Sequence, residues 1–295
     1  MAGKYEKYAV RKPLYEAGAG FKNRQSPTMT FISEKQVGAP YYLGLGWIYG
    51  TPEPNPNVME HTHDYDEIIL YYGGDYKRPQ VLGGEIEFYI GGQKISINTT
   101  TCMYIPAGTP HGPFIWKKFD FPHVEMAFML GTGDRSKAWG RSHISDGKAT
   151  PSLKGRGFDY EQYVVRSPMR EAGPITATGR MNPTMTYMSQ AQVQVSDIYL
   201  EFGWIWGMVK PGIEKMTHAK ADEIVMHIGG DPKNPEDLGA DMEFGIEDEL
   251  MQFNTTYAMW IPKGLSHGPL NWHAVRKPHI EMAIMLGAQM TGPER

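Results

Sequence analysis

The chain has almost no cysteine and no long apolar run. Cys102 is the only cysteine, so an intramolecular disulfide and a cysteine-based metal cluster are excluded, and we expect its thiol to be buried and inert. No stretch approaches membrane-spanning length, and the first residues lack the apolar core of a signal peptide. A net charge of -4 without a basic run gives no electrostatic footprint for nucleic acid. We therefore expect a soluble, cytoplasmic protein that binds neither membranes nor nucleic acid.

What the sequence does contain is a set of histidines and an acid at a spacing that suits a metal ion. His61, His63 and Glu67 share one face if this stretch is a strand, and the apolar run that follows them favours a strand. On a helix, residues 61 and 63 would lie about 200° apart. His111 follows later, in a Pro/Gly turn. Surface or capping histidines are the plainer alternative, but this phased set favours a divalent-metal site.

Two motifs give the chain a family resemblance. The matching residues are His61, His63, Glu67 and Gly74 for His-x-His-x(3 or 4)-Glu-x6-Gly, and Pro106, Gly108 and His111 for Pro-x-Gly-x-x-His. With them the chain resembles the cupin superfamily, although the usual leading glycines of both motifs are not evident. The resemblance implies an all-β fold of the double-stranded β-helix, or jelly-roll, type. It also implies that His61, His63, Glu67 and His111 are the metal ligands.

The sequence repeats itself at an offset of about 156 residues. Residues 5–11 recur at 160–166, 27–30 at 183–186, 46–48 at 203–205 and 122–127 at 278–283. The offset is too long for a solenoid, so we predict two tandem cupin barrels, a bicupin related by internal duplication. The predicted divisions are 1–131 for an N-terminal arm and a barrel with an intact site, 132–157 for a linker, and 158–295 for the second barrel.

The second copy has lost one histidine. It keeps His218, Glu223 and His267 as a second candidate site, but it is one residue shorter before the acid. The gap leaves two alignments open: His218 and Lys220 match the two histidines of the first motif, or Met216 and His218 do. A Lys220 ammonium in a ligand position would repel a cation, and the odd separation of His218 from Glu223 needs a bulge. We expect the first copy to carry the chemistry.

The donor set restricts the ion and its use. Three neutral imidazoles and one carboxylate leave a divalent cation with one net positive charge and, at six-coordination, two open positions for a bidentate oxygen ligand. Mixed nitrogen and oxygen donors favour one Mn2+ or Fe2+ per chain, and Zn2+, Ni2+ and Co2+ are also compatible.

Other residues are expected to line the pocket or to move protons. Several aromatic side chains and one methionine suggest a pocket for a flat substrate ring that carries few charges, although each of these residues could instead belong to the barrel core. They are Trp47, Tyr49, Tyr71, Tyr104, Phe114, Trp116 and Met126. Candidate acids and bases are Glu87, His123 and Glu125. The last two recur as His279 and Glu281, which argues for a structural role unless they face the cavity.

Three functions fit these features. The first is a metal-dependent hydrolase that opens a cyclic 1,3-diketone or polyphenol-derived ring by breaking a C–C bond. The second is a ring-cleaving dioxygenase, similar to gentisate and quercetin dioxygenases, and the third is a non-catalytic ligand-binding bicupin. The complete ligand set argues against the third. A loose resemblance of the Gly-Gly-Asp loops to metal-dependent bicupins of anaerobic bacteria favours the hydrolase. A small-molecule substrate and a homodimer are the expected partners.

Overall fold

The computed structural model describes residues 3–137, 158–172 and 176–287, so 138–157 of the predicted linker lie outside the described residues. Contacts divide the chain into two compact units. We call Leu14–Arg166 the N-terminal barrel, and Met1–Pro13 together with Ser167–Arg295 the C-terminal barrel. Within the described ranges, no helix is long and apolar enough to cross a membrane.

The described chain is almost entirely β-structure. In its first half the strands are β1 Ala9–Val10, β2 Leu14–Ala17, β3 Lys22–Arg24, β4 Thr28–Ile32, β5 Tyr41–Glu53, β6 Asp66–Gly73, β7 Val81–Ile90, β8 Gln93–Thr99, β9 Thr101–Ile105, β10 His111–Phe119 and β11 His123–Leu130. In its second half they are β12 Val164–Val165, β13 Thr178–Arg180, β14 Met185–Met188, β15 Ile198–Lys210, β16 Asp222–Gly229, β17 Asp237–Ile246, β18 Glu249–Thr255, β19 Tyr257–Ile261, β20 His267–Val275 and β21 His279–Leu286. The helices are α1 Glu34–Val37 and the 3-10 helices Glu6–Tyr8, Arg135–Lys137 and Tyr160–Tyr163.

Each barrel combines one large and one small antiparallel sheet. The N-terminal barrel has an eight-stranded sheet in the order β12-β9-β6-β11-β5-β4-β2, with β3 also paired to β5, and a three-stranded sheet β10-β7-β8. The C-terminal barrel repeats this plan with β1-β19-β16-β21-β15-β13, with β14 also paired to β15, and β18-β17-β20. Strands β5 to β11 have the same lengths as β15 to β21, one by one. The duplication read from the sequence therefore extends to the architecture.

Alternation along the strands places the core between the two sheets of a barrel. In β7, Ile86, Phe88 and Ile90 belong to the N-terminal core, while the alternating Glu85 and Glu87 are more exposed. Strand β9 is buried throughout, and it includes Cys102, whose thiol is buried as predicted, so that its pKa is raised. Gly73 is the last residue of β6, and glycine is required there because a Cβ would lie 2.0 Å from the carbonyl oxygen of Val81.

The first strand of each sequence copy pairs with the barrel built mainly by the other copy. Ala9 and Val10 pair with β19 in the C-terminal barrel, and Val164 and Val165 pair with β9 in the N-terminal barrel. The predicted divisions at 131 and 158 follow the sequence repeat. Spatial contacts instead divide the chain at residues 13–14 and 166–167.

Candidate metal centre and cavity

Four predicted ligand side chains meet in the N-terminal barrel. Donor atoms of His61, His63, Glu67 and His111 all lie within 4.8 Å of one another. Glu67 is the second residue of β6 and His111 the first of β10. The predicted continuous strand from residue 61 to 67 does not form. The backbone of His61 instead makes one bridge to His111, with N···O distances of 2.9 and 3.0 Å, and the His63 carbonyl accepts from Gly108 at 2.7 Å.

The Glu67 carboxylate lies against two of the imidazoles. Its Oε2 atom is 3.2 Å from His63 Nε2 and 3.1 Å from His111 Nε2. The three side chains are 6% exposed or less. This is the buried, mixed nitrogen and oxygen donor set that the spacing predicted.

Backbone carbonyls select the ring nitrogen that each histidine turns toward this centre. The Nδ1 atom of His61 donates to Met59 O at 3.0 Å, that of His63 to Tyr65 O at 2.7 Å, and that of His111 to Thr109 O at 2.8 Å. A carbonyl oxygen can only accept, so Nδ1 carries the proton, and Nε2 of a neutral ring carries the lone pair that can bind a cation. Acceptor atoms and a carboxylate this close repel one another unless a proton or a cation lies between them. The group therefore fits a divalent cation.

Electrostatics favour the cation-binding protonation states of His61 and Glu67, whereas at His63 burial acts to lower the pKa but the contact with Glu67 outweighs it and raises the pKa. Burial, with the nearby His111, lowers the pKa of His61 to about 4. For Glu67, burial acts to raise the pKa, but the contacts with His111 and His63 outweigh it and hold the pKa well below its usual range. Near neutral pH, His61 is therefore neutral and Glu67 ionised.

A cavity of about 620 Å³ opens beside these ligands. Its walls are mostly apolar, with few polar groups, as expected for a small-molecule site. The apolar side chains include Phe21, Leu45, Val58, Met59, Ile69, Phe114, Ala127 and Met129, and the polar ones include Arg24, Thr28, Asn57, Glu60 and Glu125 in addition to His61 and Glu67.

Of the predicted pocket residues, Phe114 lines the cavity, and Tyr71 and Trp116 lie behind it. The Tyr71 ring centre is 5.3 Å from that of Phe114 and 6.0 Å from that of Trp116. The Trp116 indole donates to His123 Nε2 at 3.2 Å, and His123 Nδ1 donates to Phe121 O at 3.2 Å. Both ring nitrogens of His123 are thus occupied, and burial lowers its pKa to about 4. This predicted acid/base is a structural residue, and the Trp272–His279 hydrogen bond of 3.2 Å repeats the arrangement.

The remaining predicted residues point away from the cavity. Trp47 and Met126 are buried on the opposite faces of β5 and β11, because neighbours in a strand alternate. Tyr49 is 49% exposed and donates to the Arg24 carbonyl, and Tyr104 donates to Asp66. Glu87, the other predicted acid, lies on the outer face of β7, 3.5 Å from Lys94 and 3.9 Å from Lys117.

Glu125 lines the cavity beside Arg24, a residue that the sequence reading missed. Arg24 is 3% exposed, and its Nη2 atom lies 3.4 Å from Glu125 Oε1. Glu125 Oε2 makes no hydrogen bond of ordinary length among the described residues, but the Tyr71 hydroxyl is its neighbour, and burial together with this carboxylate raises the pKa of Tyr71. One signal was present in the sequence: Arg24 precedes the repeated Pro-Thr-Met-Thr by three residues, as Arg180 does in the second copy.

The C-terminal barrel brings together His218, Glu223 and His267. Glu223 Oε2 is 3.5 Å from His218 Nε2 and 2.9 Å from His267 Nε2. Met216 makes the bridge to His267 that the first histidine makes in the other barrel, so Met216 occupies that position and His218 the next. Lys220 is exposed and is not in a ligand position. The alignment left open by the sequence is thereby decided.

The C-terminal cavity, about 480 Å³, differs from the first by an added acid. Glu201 on β15 is opposite Ala283 on β21. In the N-terminal barrel, Gly44 on β5 takes the equivalent position opposite Ala127 on β11. Burial raises the pKa of Glu201 to about 7, although the Thr184 hydroxyl donates to it at 2.9 Å. Arg180 and Glu281 form an ion pair of 2.9 Å in the same cavity.

No family model matches this sequence, and no curated protein matches it. Solved structures do match. AerE from Microcystis aeruginosa is 13% identical with a TM-score of 0.57, over 95% of this chain and 99% of that one. Bacillus subtilis oxalate decarboxylase, which has Mn(II) centres, is 12% identical with a TM-score of 0.56, over 95% and 81%. The 7S globulin of Momordica charantia is 9% identical with a TM-score of 0.57, over 95% and 85%.

Identities this low show the fold alone. The fold is two cupin barrels in one chain, so the predicted all-β bicupin is confirmed.

Proposed function

We propose that this bicupin is a metal-dependent enzyme that binds a small oxygenated ring in the N-terminal barrel and breaks a C–C bond by hydrolytic ring opening. One observation carries the proposal. Three histidines with their Nδ1 protons committed to carbonyls converge with Glu67 on the wall of a cavity of about 620 Å³. Mostly apolar walls suit a ring better than a small dianion such as oxalate.

His61, His63, Glu67 and His111 would hold the cation, with Mn2+ or Fe2+ favoured and Zn2+, Ni2+ or Co2+ compatible with the donors. The Mn(II) centres of the B. subtilis neighbour make Mn2+ the first ion to test. When bound, the ion would polarise the substrate carbonyls and stabilise the negative charge that develops on their oxygens.

Glu125 is the side chain that we propose moves the proton. It lines the cavity, and its Oε2 atom makes no hydrogen bond of ordinary length among the described residues. For a cyclic 1,3-diketone, Glu125 takes a proton from water as the water oxygen bonds to one carbonyl carbon. The bond from that carbon to the carbon between the carbonyls then breaks, and the electron pair stays on the latter. Glu125 returns the proton there, so one water is consumed and a keto acid forms.

Small residues make room for the ring. Gly44 and Ala127 face each other across β5 and β11 and line the cavity between the ligands and Glu125. Phe114 and Ile69 supply further apolar wall, which limits the water that reaches the reacting carbons.

The test is anaerobic turnover by metal-loaded protein. Cyclohexane-1,3-dione, its hydroxylated derivatives, catechol and hydroquinone are incubated with Mn2+-loaded and metal-stripped chain, with and without oxygen. We expect metal-dependent formation of a ring-opened keto acid from a dione at equal rates in both atmospheres. Oxygen uptake coupled to turnover, or no metal-dependent product from any dione, would overturn the proposal.

A further inference from the structure

We infer that Arg24 anchors a hydroxyl group on the edge of the ring that faces away from the metal ligands. The inference rests on the proposed function, because it assigns a further contact to the same substrate. Arg24 is a positioning residue in this account, and it makes the N-terminal cavity selective among cyclic diones.

The backbone and the side chain of Arg24 each have contacts before any ligand arrives. Arg24 ends β3, and its carbonyl oxygen accepts a hydrogen bond from the Tyr49 hydroxyl at 2.7 Å. The guanidinium carbon lies 5.3 Å from the centre of the Phe21 ring. A side chain held in this way loses little further freedom when it binds a ligand.

The partners of this buried charge are incomplete. A guanidinium offers five N–H donors, yet the contact with Glu125 is 3.4 Å long, and Arg24 Nε has no partner among the described residues. Buried charges in proteins are normally paired and hydrogen-bonded, because an unmet donor costs free energy. Arg24 lines the cavity, so a substrate hydroxyl beside it can accept a hydrogen bond from the unused guanidinium donors.

Strand register places this pair across the cavity from the metal ligands. Met129 on β11 is opposite Glu67 on β6, and Glu125 lies four residues earlier on β11, about 13 Å away between Cα atoms. Ala127 lies between them on the same face. A ring held at the ligands by two oxygens thus directs its opposite edge toward Arg24.

The second barrel supplies a matched control. Arg180 and Glu281 form the same buried pair at 2.9 Å, and Arg180 is also 3% exposed. Glu201, however, occupies the position of Gly44, where the ring would lie. Replacing Arg180 therefore removes an equivalent ion pair without touching the proposed substrate.

The experiment compares two probes that differ by one hydroxyl. Binding of cyclohexane-1,3-dione and of 5-hydroxycyclohexane-1,3-dione to the Mn2+-loaded full chain is measured by calorimetry for the wild type, Arg24→Gln, Arg24→Lys and Arg180→Gln. We expect the wild type and Arg180→Gln to bind the hydroxylated probe about tenfold more tightly or better. Arg24→Gln should lose this preference while keeping its affinity for the plain dione, and Arg24→Lys should keep part of it.

A wild type without preference, or an equal loss in Arg24→Gln and Arg180→Gln, would overturn the inference. If Arg24→Gln does not fold, Arg24→Lys is the deciding variant, because a preference fully retained with lysine contradicts a contact that needs the guanidinium. Binding needs no turnover. A preference that depends on Arg24 in a protein that hydrolyses no dione would reject the proposed function and leave the anchoring role standing.

Discussion

Three backbone carbonyls decide which nitrogen of each N-terminal histidine faces the shared centre. His61, His63 and His111 each bond through Nδ1 to a carbonyl two residues away, so in each ring Nε2 is the nitrogen that can bind a cation. The motif spacing therefore specifies the orientation of the rings as well as their proximity. Glu67, held ionised by the same rings, completes the donor set.

Glu125 and Glu87 give a direct comparison at this scale, since both were acid/base candidates. We expect Glu125→Gln to lower kcat for an active dione by about a hundredfold or more, because the cavity then has no carboxylate at that point to carry the proton. Glu87→Gln should stay within about twofold of wild type, because Glu87 contacts Lys94 and Lys117 on the outer face. Steady-state kinetics on both variants checks this, and equal losses would contradict the role of Glu125.

The sequence identified the metal-ligand candidates, but it was less informative about the cavity. Ligand spacing is local, so the four ligands could be read from the chain. Which side of a strand faces the cavity depends on how β5 and β11 pair, so Trp47 and Met126 could not be distinguished from inward-facing residues. Arg24 and Asn57 also line the cavity, but they lie in segments that contain no recognisable functional motif.

At the scale of elements, β10 and β11 are joined by the Trp116–His123 hydrogen bond, which β20 and β21 repeat. Burial disfavours the charged form of His123 and lowers its pKa from about 6.5 in the unfolded chain to about 4 in the folded barrel. Between these values the unfolded chain binds the extra proton. The free energy of unfolding should therefore fall as the pH drops from about 6.5 to about 4, by about 3 kcal/mol for this residue.

Urea unfolding as a function of pH tests this effect. His123→Gln should show a shallower loss of stability over that range than wild type. His273→Gln should match wild type, because His273 is 54% exposed. Identical slopes in wild type and His123→Gln would show that His123 does not remain neutral in the folded barrel.

The strands themselves were largely readable from alternation and glycine signals, and the equal lengths in both copies follow from the repeat. Residues 61–65 depart from the expected strand. Their backbone groups bond to the segment around Gly108 and His111 instead of continuing β6. Local periodicity carries no information about pairing with a distant turn, so the sequence could not show that the ligands converge through these backbone hydrogen bonds.

At the scale of the whole molecule, the two barrels share one plan but carry different sites. The pairing of Ala9 with β19 and of Val164 with β9 could not be read from the chain, because two-residue strands carry almost no periodic signal. The repeat did show that one histidine was missing. With Met216 in its place and Glu201 in the cavity, the C-terminal barrel offers a cation three ligands where the other offers four.

Equilibrium Mn2+ binding to wild type, His63→Ala and His218→Ala tests the central claim most directly, because these two histidines occupy matching positions in the two barrels. We expect wild type to retain about one tightly bound ion per chain, His63→Ala to lose most of it, and His218→Ala to keep it. Equal loss from both variants, or full retention by His63→Ala, would contradict the assignment of the working metal site to the N-terminal barrel.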